Sequence, residues 1–117
     1  YEHCKETYDY LINGGNDTPD DFCFEQTIVS LGDTVFIPFP FEMFSEIVMR
    51  LREYSPYPYT LCLSCTNGYN VYLPSEDQLC RGGYEVAMFL YNGVTSLADD
   101  SDINIINENL RIMEKLK

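Results

Sequence analysis

Apolar and polar positions change period several times along the chain, and each change marks a predicted element. Over residues 1–13, Cys4, Tyr8, Leu11 and Ile12 recur at helical spacing, and Gly14-Gly15 supplies a stop. A polar, proline-containing loop is expected from Asn16 to Asp21. Phe24–Leu31 reads as a strand and Gly32-Asp33 as a two-residue hairpin turn, because glycine accepts positive φ at the first central position. Thr34–Phe39, β-branched and aromatic, reads as the antiparallel partner strand. A helix is predicted from Glu42 to Tyr54, burying Phe44, Ile47, Val48 and Leu51 and turning Glu46, Arg50, Arg52 and Glu53 to water. Ser55-Pro56-Tyr57-Pro58 ends it, since proline does not fit a helix interior.

Tyr59–Cys65 reads as a third strand. Ser75-Glu76-Asp77-Gln78 has the form of a capping box after Pro74, opening a short helix that stops at Gly82-Gly83. Tyr84–Tyr91 is apolar and fits either a strand or a helix. Ser101 is placed to cap a last helix whose Ile103, Ile106, Leu110 and Met113 share a face, with acids at its start and lysines at its end. The order predicts an α/β fold, with α+β as the alternative: a small mixed sheet with a β-hairpin, one βαβ unit and covering helices. Strands 34–39 and 59–65 would run parallel, with a right-handed crossover. Loops leaving the carboxyl ends of parallel strands share one sheet edge, where ligands bind. Glu42 leaves one such strand and the Asn67–Tyr72 loop leaves the other, so the two are expected to be neighbours in space.

Composition narrows the class. A length of 117 residues supports a single domain with a real core, and the 45% hydrophobic fraction is ordinary for a globular protein. There are 19 acidic residues against 7 Lys and Arg, a net charge of −12 that repels phosphate backbones and argues against nucleic-acid binding. No twenty-residue apolar run or basic, apolar leader is present, so neither a spanning helix nor a signal peptide is expected within these residues. Five cysteines, an odd number, favour reduced thiols and with them a cytoplasmic setting. Cys62-Leu63-Ser64-Cys65 has the spacing of a zinc knuckle, but on a strand residues three apart face opposite sides, so these read as two buried thiols. Phe36, Phe39, Phe41 and Phe44 read as core, with the lining of a lipid-chain pocket as the alternative, and His3 as a surface or helix-end histidine.

Candidate chemistry lies in four segments. Gly32-Asp33 turns into a strand that ends at Pro40-Phe41-Glu42; Asn67-Gly68-Tyr69-Asn70-Val71-Tyr72 follows, and Tyr84-Glu85 comes twelve residues after Tyr72. In that order, from Leu31 to Tyr84, they resemble the carboxyl-terminal part of the catalytic domain in the neutral/alkaline (non-lysosomal) ceramidase family. Leu73-Pro74 and Gly82-Gly83-Tyr84-Glu85 are most like its bacterial branch. The family glycine before the glutamate is Phe41 here, which is expected to tilt Glu42.

The resemblance implies Glu42 and Tyr72 as zinc ligands, Tyr84 as the catalytic hydroxyl that polarises a substrate carbonyl, and Asn67 and Tyr69 as substrate contacts. Zinc in such a site keeps one position for water, whose pKa falls to about 7. The family's two histidine ligands belong to its amino-terminal part, and His3 matches neither. The resemblance therefore implies the carboxyl-terminal portion of a larger amidase, holding zinc only together with that amino-terminal remainder and acting on an N-acyl lipid or another amide. Separated from the remainder, it is expected to expose an apolar surface on which a second copy docks. The alternative is a non-catalytic binding or structural domain that kept the fold without the metal. Read without the resemblance, Glu42 is a first-turn helix acid, Tyr72 a packed loop tyrosine and Tyr84 a core residue.

Overall fold

The computed structural model describes residues 24–88, 97 and 100–117, together with Lys5, Glu6, Asp9, Ile12 and Asn13. Most of the helix expected over residues 1–13, the Asn16–Asp21 loop, His3 and the end of the Tyr84–Tyr91 segment lie outside the described residues. The architecture is mixed α and β. In chain order it has β1 (Val29–Leu31), β2 (Thr34–Pro38), β3 (Glu42–Met43), α1 (Ser45–Tyr54) and β4 (Tyr59–Leu63). There follow β5 (Tyr72–Leu73), α2 (Glu76–Leu79), α3 (Tyr84–Ala87) and α4 (Ser101–Leu116).

The first sheet has the order β1-β2-β4. Strands β1 and β2 form the expected antiparallel hairpin, with Leu31 opposite Thr34 and Gly32 at φ 57 in the turn. The ladder covers only Val29–Leu31 of the predicted Phe24–Leu31 strand. Continuing its register would set Thr27 against Pro38, which has no N–H to give. The Gln26 side chain instead donates to the Pro38 carbonyl at 2.8 Å, and Phe24 packs edge-on against Phe41 at 5.3 Å.

Strands β2 and β4 pair in parallel, Thr34 with Tyr59 through Pro38 with Leu63, so the βαβ unit forms as its pattern predicts. Alternation along them sorts the two faces. Val35, Ile37 and Thr60 turn inward and are buried with Phe39, Ile47, Leu51, Ile106 and Met113, which come from the loop after β2 and from helices α1 and α4. Opposite them, the rows Leu31–Thr34–Tyr59 and Val29–Phe36–Leu61, together with Leu63, form an outer face that is mostly apolar. Leu31 is 75% exposed and Tyr59 63%. Of the two knuckle cysteines only Cys62 packs against the core. Cys65 lies beyond the strand end, exposed, with φ 52, so the expected pair of buried strand thiols is corrected to one.

Two helices depart from prediction at their starts. Helix α1 begins at Ser45, three residues later than expected. The residues ahead of it form β3, pairing Glu42 with Tyr72 and Met43 with Leu73 in a second, parallel sheet that the pattern did not announce. Phe44 N–H also donates to the Leu73 carbonyl at 3.1 Å, so the backbone that would have made a first helical turn is used across to β5. In α4 the inward stripe is Asp102, Ile106, Asn109 and Met113; Ile103 faces water, Leu110 is half-buried, and Asp100 rather than Ser101 is the N-cap. Asp102 takes the inner position because it is a junction. It accepts from Glu76 N–H at 3.1 Å and Ile103 N–H at 2.7 Å, and meets Arg50 of α1 at 3.5 Å. Ser75 is the N-cap of α2 without a side-chain cap bond; its hydroxyl goes to Asp77 at 2.7 Å, so the reciprocal capping box does not form. Tyr84–Ala87 resolves to a helical turn.

Candidate functional site

The loop after β4 is laced onto the segment that follows β2. Phe39 N–H donates to Leu63 O at 2.8 Å, Thr66 N–H to Phe39 O at 2.9 Å, Cys65 N–H to Phe41 O at 3.0 Å and Asn70 N–H to Pro40 O at 2.7 Å. This stitching requires a sharp turn, made by Asn67 at φ 63 and Gly68 at φ 153. A Cβ on Gly68 would stand 3.0 Å from the Pro40 Cβ, tighter than nine in ten real contacts, and φ 153 is itself a region side chains rarely adopt. Glycine at 68 is thus what lets the two segments touch.

Beyond the turn, β5 brings Tyr72 to the register partner of Glu42 on β3. The Tyr69 hydroxyl donates to Glu42 Oε1 at 3.2 Å. The Tyr84 ring, on the first turn of α3, lies 6.3 Å from the Tyr72 ring at 71°, and Phe44 flanks Tyr72 from the other side at 6.4 Å. Gly82 and Gly83, at φ 66 and 115, turn the chain so that α3 starts beside this group. Glu42 and Tyr72 are half-buried, whereas Tyr69 is 76% and Tyr84 64% exposed. The cluster is a carboxylate bordered by aromatic hydroxyls at the surface, open to a ligand.

The sequence had grouped Glu42, Tyr69, Tyr72 and Tyr84, and the fold brings all four together. Asn67, expected as a substrate contact, is exposed on the turn, and its visible part is the backbone bend. Phe41 does not displace Glu42 from Tyr72: its ring enters the core against Phe24, and the next residue projects to the opposite side of the extended backbone. Glu42 is a strand residue, so the reading of it as a first-turn helix acid is overturned. Pattern analysis missed Phe44 as a wall of the cluster. Its place in a predicted helical stripe concealed that it precedes the helix and packs on Tyr72.

The carboxylate sets the state of its neighbours. Hydrogen bonding to Glu42, and then the Glu42 charge, pushes the Tyr69 phenol above its usual range. Tyr72 is raised as well, first by hydrogen bonding to Glu42, then by desolvation and by the same charge. Both phenols therefore stay protonated at neutral pH, and the Tyr69 hydroxyl donates to the carboxylate.

As metal donors, Glu42 and Tyr72 offer one carboxylate and one phenol oxygen on adjacent strands, the hard oxygen chemistry that zinc accepts from such groups. They are part of a donor set. A catalytic zinc takes three protein ligands and a water, and among the described residues no group of three His, Cys, Asp or Glu side chains converges. Compared with protein-family models, with curated proteins and with solved structures, the chain matches none. Among the described residues no helix is long and apolar enough to cross a membrane.

Proposed function

We propose that this chain is the carboxyl-terminal portion of a ceramidase-like zinc amidase that hydrolyses an N-acyl amide bond. One observation carries the reading: residues thirty apart in sequence, Glu42 and Tyr72, are paired across a parallel bridge, with the Tyr84 ring edge-on to Tyr72. In this account Glu42 and Tyr72 supply two of the metal's ligands, and nitrogen donors from an amino-terminal remainder of the same domain complete the set. When bound, zinc polarises a carbonyl and lowers the pKa of its water to about 7.

The chain's own residues orient and donate. Glu42 accepts the Tyr69 hydroxyl and stands in register with Tyr72. Tyr84, largely exposed, is the phenol that would donate to a substrate carbonyl. Such a donor stabilises the oxyanion that forms when the amide is attacked, and its loss costs roughly 10²–10³ in turnover in other hydrolases. The Phe44 ring, edge-on to Tyr72, gives the cluster an apolar side suited to an acyl chain or another N-acyl group.

The outer sheet face supports the reading that more of the domain belongs here. Exposed apolar patches of this kind mark interaction surfaces, and this face carries Val29, Leu31, Tyr59, Leu61 and Leu63 exposed. We assign that face to the amino-terminal remainder; a second copy occupies it when the remainder is absent.

The test uses the full-length gene product, assayed for zinc by mass spectrometry and for hydrolysis of N-acyl sphingosine and of simpler N-acyl amines. Bound zinc with amide hydrolysis is expected, and Tyr84→Phe should keep the zinc while lowering turnover about 100-fold. Turnover unchanged by Tyr84→Phe assigns that residue to packing. Neither zinc nor hydrolysis in the parent protein would favour a non-catalytic domain instead.

A further inference from the structure

The group that the fold assembles around Glu42 is richer in aromatic rings than in hydrogen-bond acceptors. Tyr72 meets two of those rings, Phe44 at 6.4 Å and 83° and Tyr84 at 6.3 Å and 71°. Rings set nearly at right angles present the face of one beside the edge of the next. Tyr69 brings a further phenol to the same carboxylate, its hydroxyl 3.2 Å from Glu42 Oε1. Each tyrosine is placed by backbone: Tyr72 by its register with Glu42, Tyr84 by the turn at Gly82 and Gly83, and Tyr69 by a loop bonded to Phe39, Pro40 and Phe41. The charge here is negative. Glu42 and Glu85 both lie close enough to raise the Tyr72 phenol, and neither forms an ion pair among the described residues.

What such a group can hold follows from what it offers. A primary ammonium needs acceptors for three N–H groups, whereas here Glu42 already accepts the Tyr69 hydroxyl. A quaternary ammonium has no N–H to satisfy; it needs aromatic faces and a negative charge close by. We infer that the Tyr72 and Tyr84 rings, with the Glu42 carboxylate beside them, bind a quaternary ammonium group of the choline kind. Tyr84 is 64% exposed, so its ring is open to a ligand arriving from solvent. Glu42 is half-buried, which leaves its charge less screened than that of a fully solvated acid. The net charge of −12 draws cations toward the surface as a whole, and the rings supply the selection among them. The inference goes beyond the amidase reading and does not rest on a metal; an ammonium and a metal at Glu42 would compete.

The experiment titrates choline into the full-length gene product with a chelator present, at about 0.15 M salt to screen the general attraction of an acidic chain for cations. Binding is read from aromatic proton shifts in NMR. The control is the uncharged analogue of choline in which carbon replaces nitrogen. Choline is expected to saturate and to bind about tenfold more tightly than the analogue. Tyr84→Leu removes an exposed ring and should weaken choline about 2–5-fold with the melting curve unchanged. Glu42→Gln, which keeps the shape and removes the charge, should weaken it by a similar factor. Tyr84→Phe keeps the ring and should bind choline as the parent does. That variant separates the two readings, since the amidase needs the Tyr84 hydroxyl and the cation needs only the ring. Equal binding of choline and its uncharged analogue would overturn the inference. So would the lack of saturable binding, or choline affinity that Tyr84→Leu leaves unchanged.

Discussion

Asp102 is the residue whose removal should cost the fold most for its size. It is 2% exposed, on the inward face of α4 among Ile106 and Met113, and it joins three helices. Two of its bonds are to backbone N–H groups, Glu76 at 3.1 Å and Ile103 at 2.7 Å, and the third is to Arg50 at 3.5 Å. Hydrogen bonds to a charged group contribute about 1.5–3 kcal/mol each. The Ile103 bond is local to the helix start and the Glu76 bond is long-range, so Asp102→Ala orphans two donors. Relief from burying a charge offsets part of this, leaving an expected loss of about 2 kcal/mol. Arg50 is 44% exposed in its side chain, so Arg50→Gln should cost well under half as much.

Urea unfolding followed by tyrosine fluorescence suits a chain with ten tyrosines and no tryptophan. With a slope of about 2 kcal/mol/M, the Asp102→Ala midpoint should fall by about 1 M with the slope preserved. A midpoint within about 0.2 M of the parent's would refute the idea that this carboxylate ties α2 and α4 together; at the same slope that shift is worth only about 0.4 kcal/mol.

Other outcomes follow from the same contacts. Burial raises the Cys62 thiol from 9.0 to about 11, with Arg52 opposing, so at pH 8 alkylation mapped by peptide mass spectrometry should reach exposed Cys65 and Cys80 before Cys62. In that pH range the unfolded chain loses the Cys62 proton first, so stability should fall as pH rises from about 9 through about 11. Cys62→Val should flatten that slope, and an unchanged slope would assign it to other groups. Leu61→Glu, on the outer sheet face, should alter folding stability by less than about 0.5 kcal/mol while reducing dye binding to exposed apolar surface. A large loss of stability would mean that the face is already covered within the chain.

The hairpin and the βαβ unit were legible because their signals are local: Gly32-Asp33 between β-branched runs, and a helical stripe between two strands. The neighbourhood of Glu42 and Tyr72 followed from topology, since parallel strands deliver their loops to one edge. What pattern could not supply was the β3–β5 bridge, because a two-residue strand has no period. Phe44 was misassigned for the same reason: it fits the α1 stripe by spacing, yet its N–H is taken by Leu73. Asp102 was hidden by its own chemistry. An acid in a first helical turn ordinarily complements the helix dipole from the surface, and only the Glu76 N–H and Arg50 made an inward position favourable. The difference between Tyr69 and Tyr72 depends on which one lies in register with Glu42, a fact of pairing that spacing does not encode.

The central claim is that Glu42 and Tyr72 share one metal ion. Anomalous diffraction at the zinc edge, on crystals of the full-length gene product, locates that ion without reference to activity. The account predicts a single peak about 2.0–2.2 Å from a Glu42 carboxylate oxygen, with the Tyr72 oxygen also in its coordination sphere. A zinc peak elsewhere in the protein, with Glu42 still held only by its phenols, would contradict it.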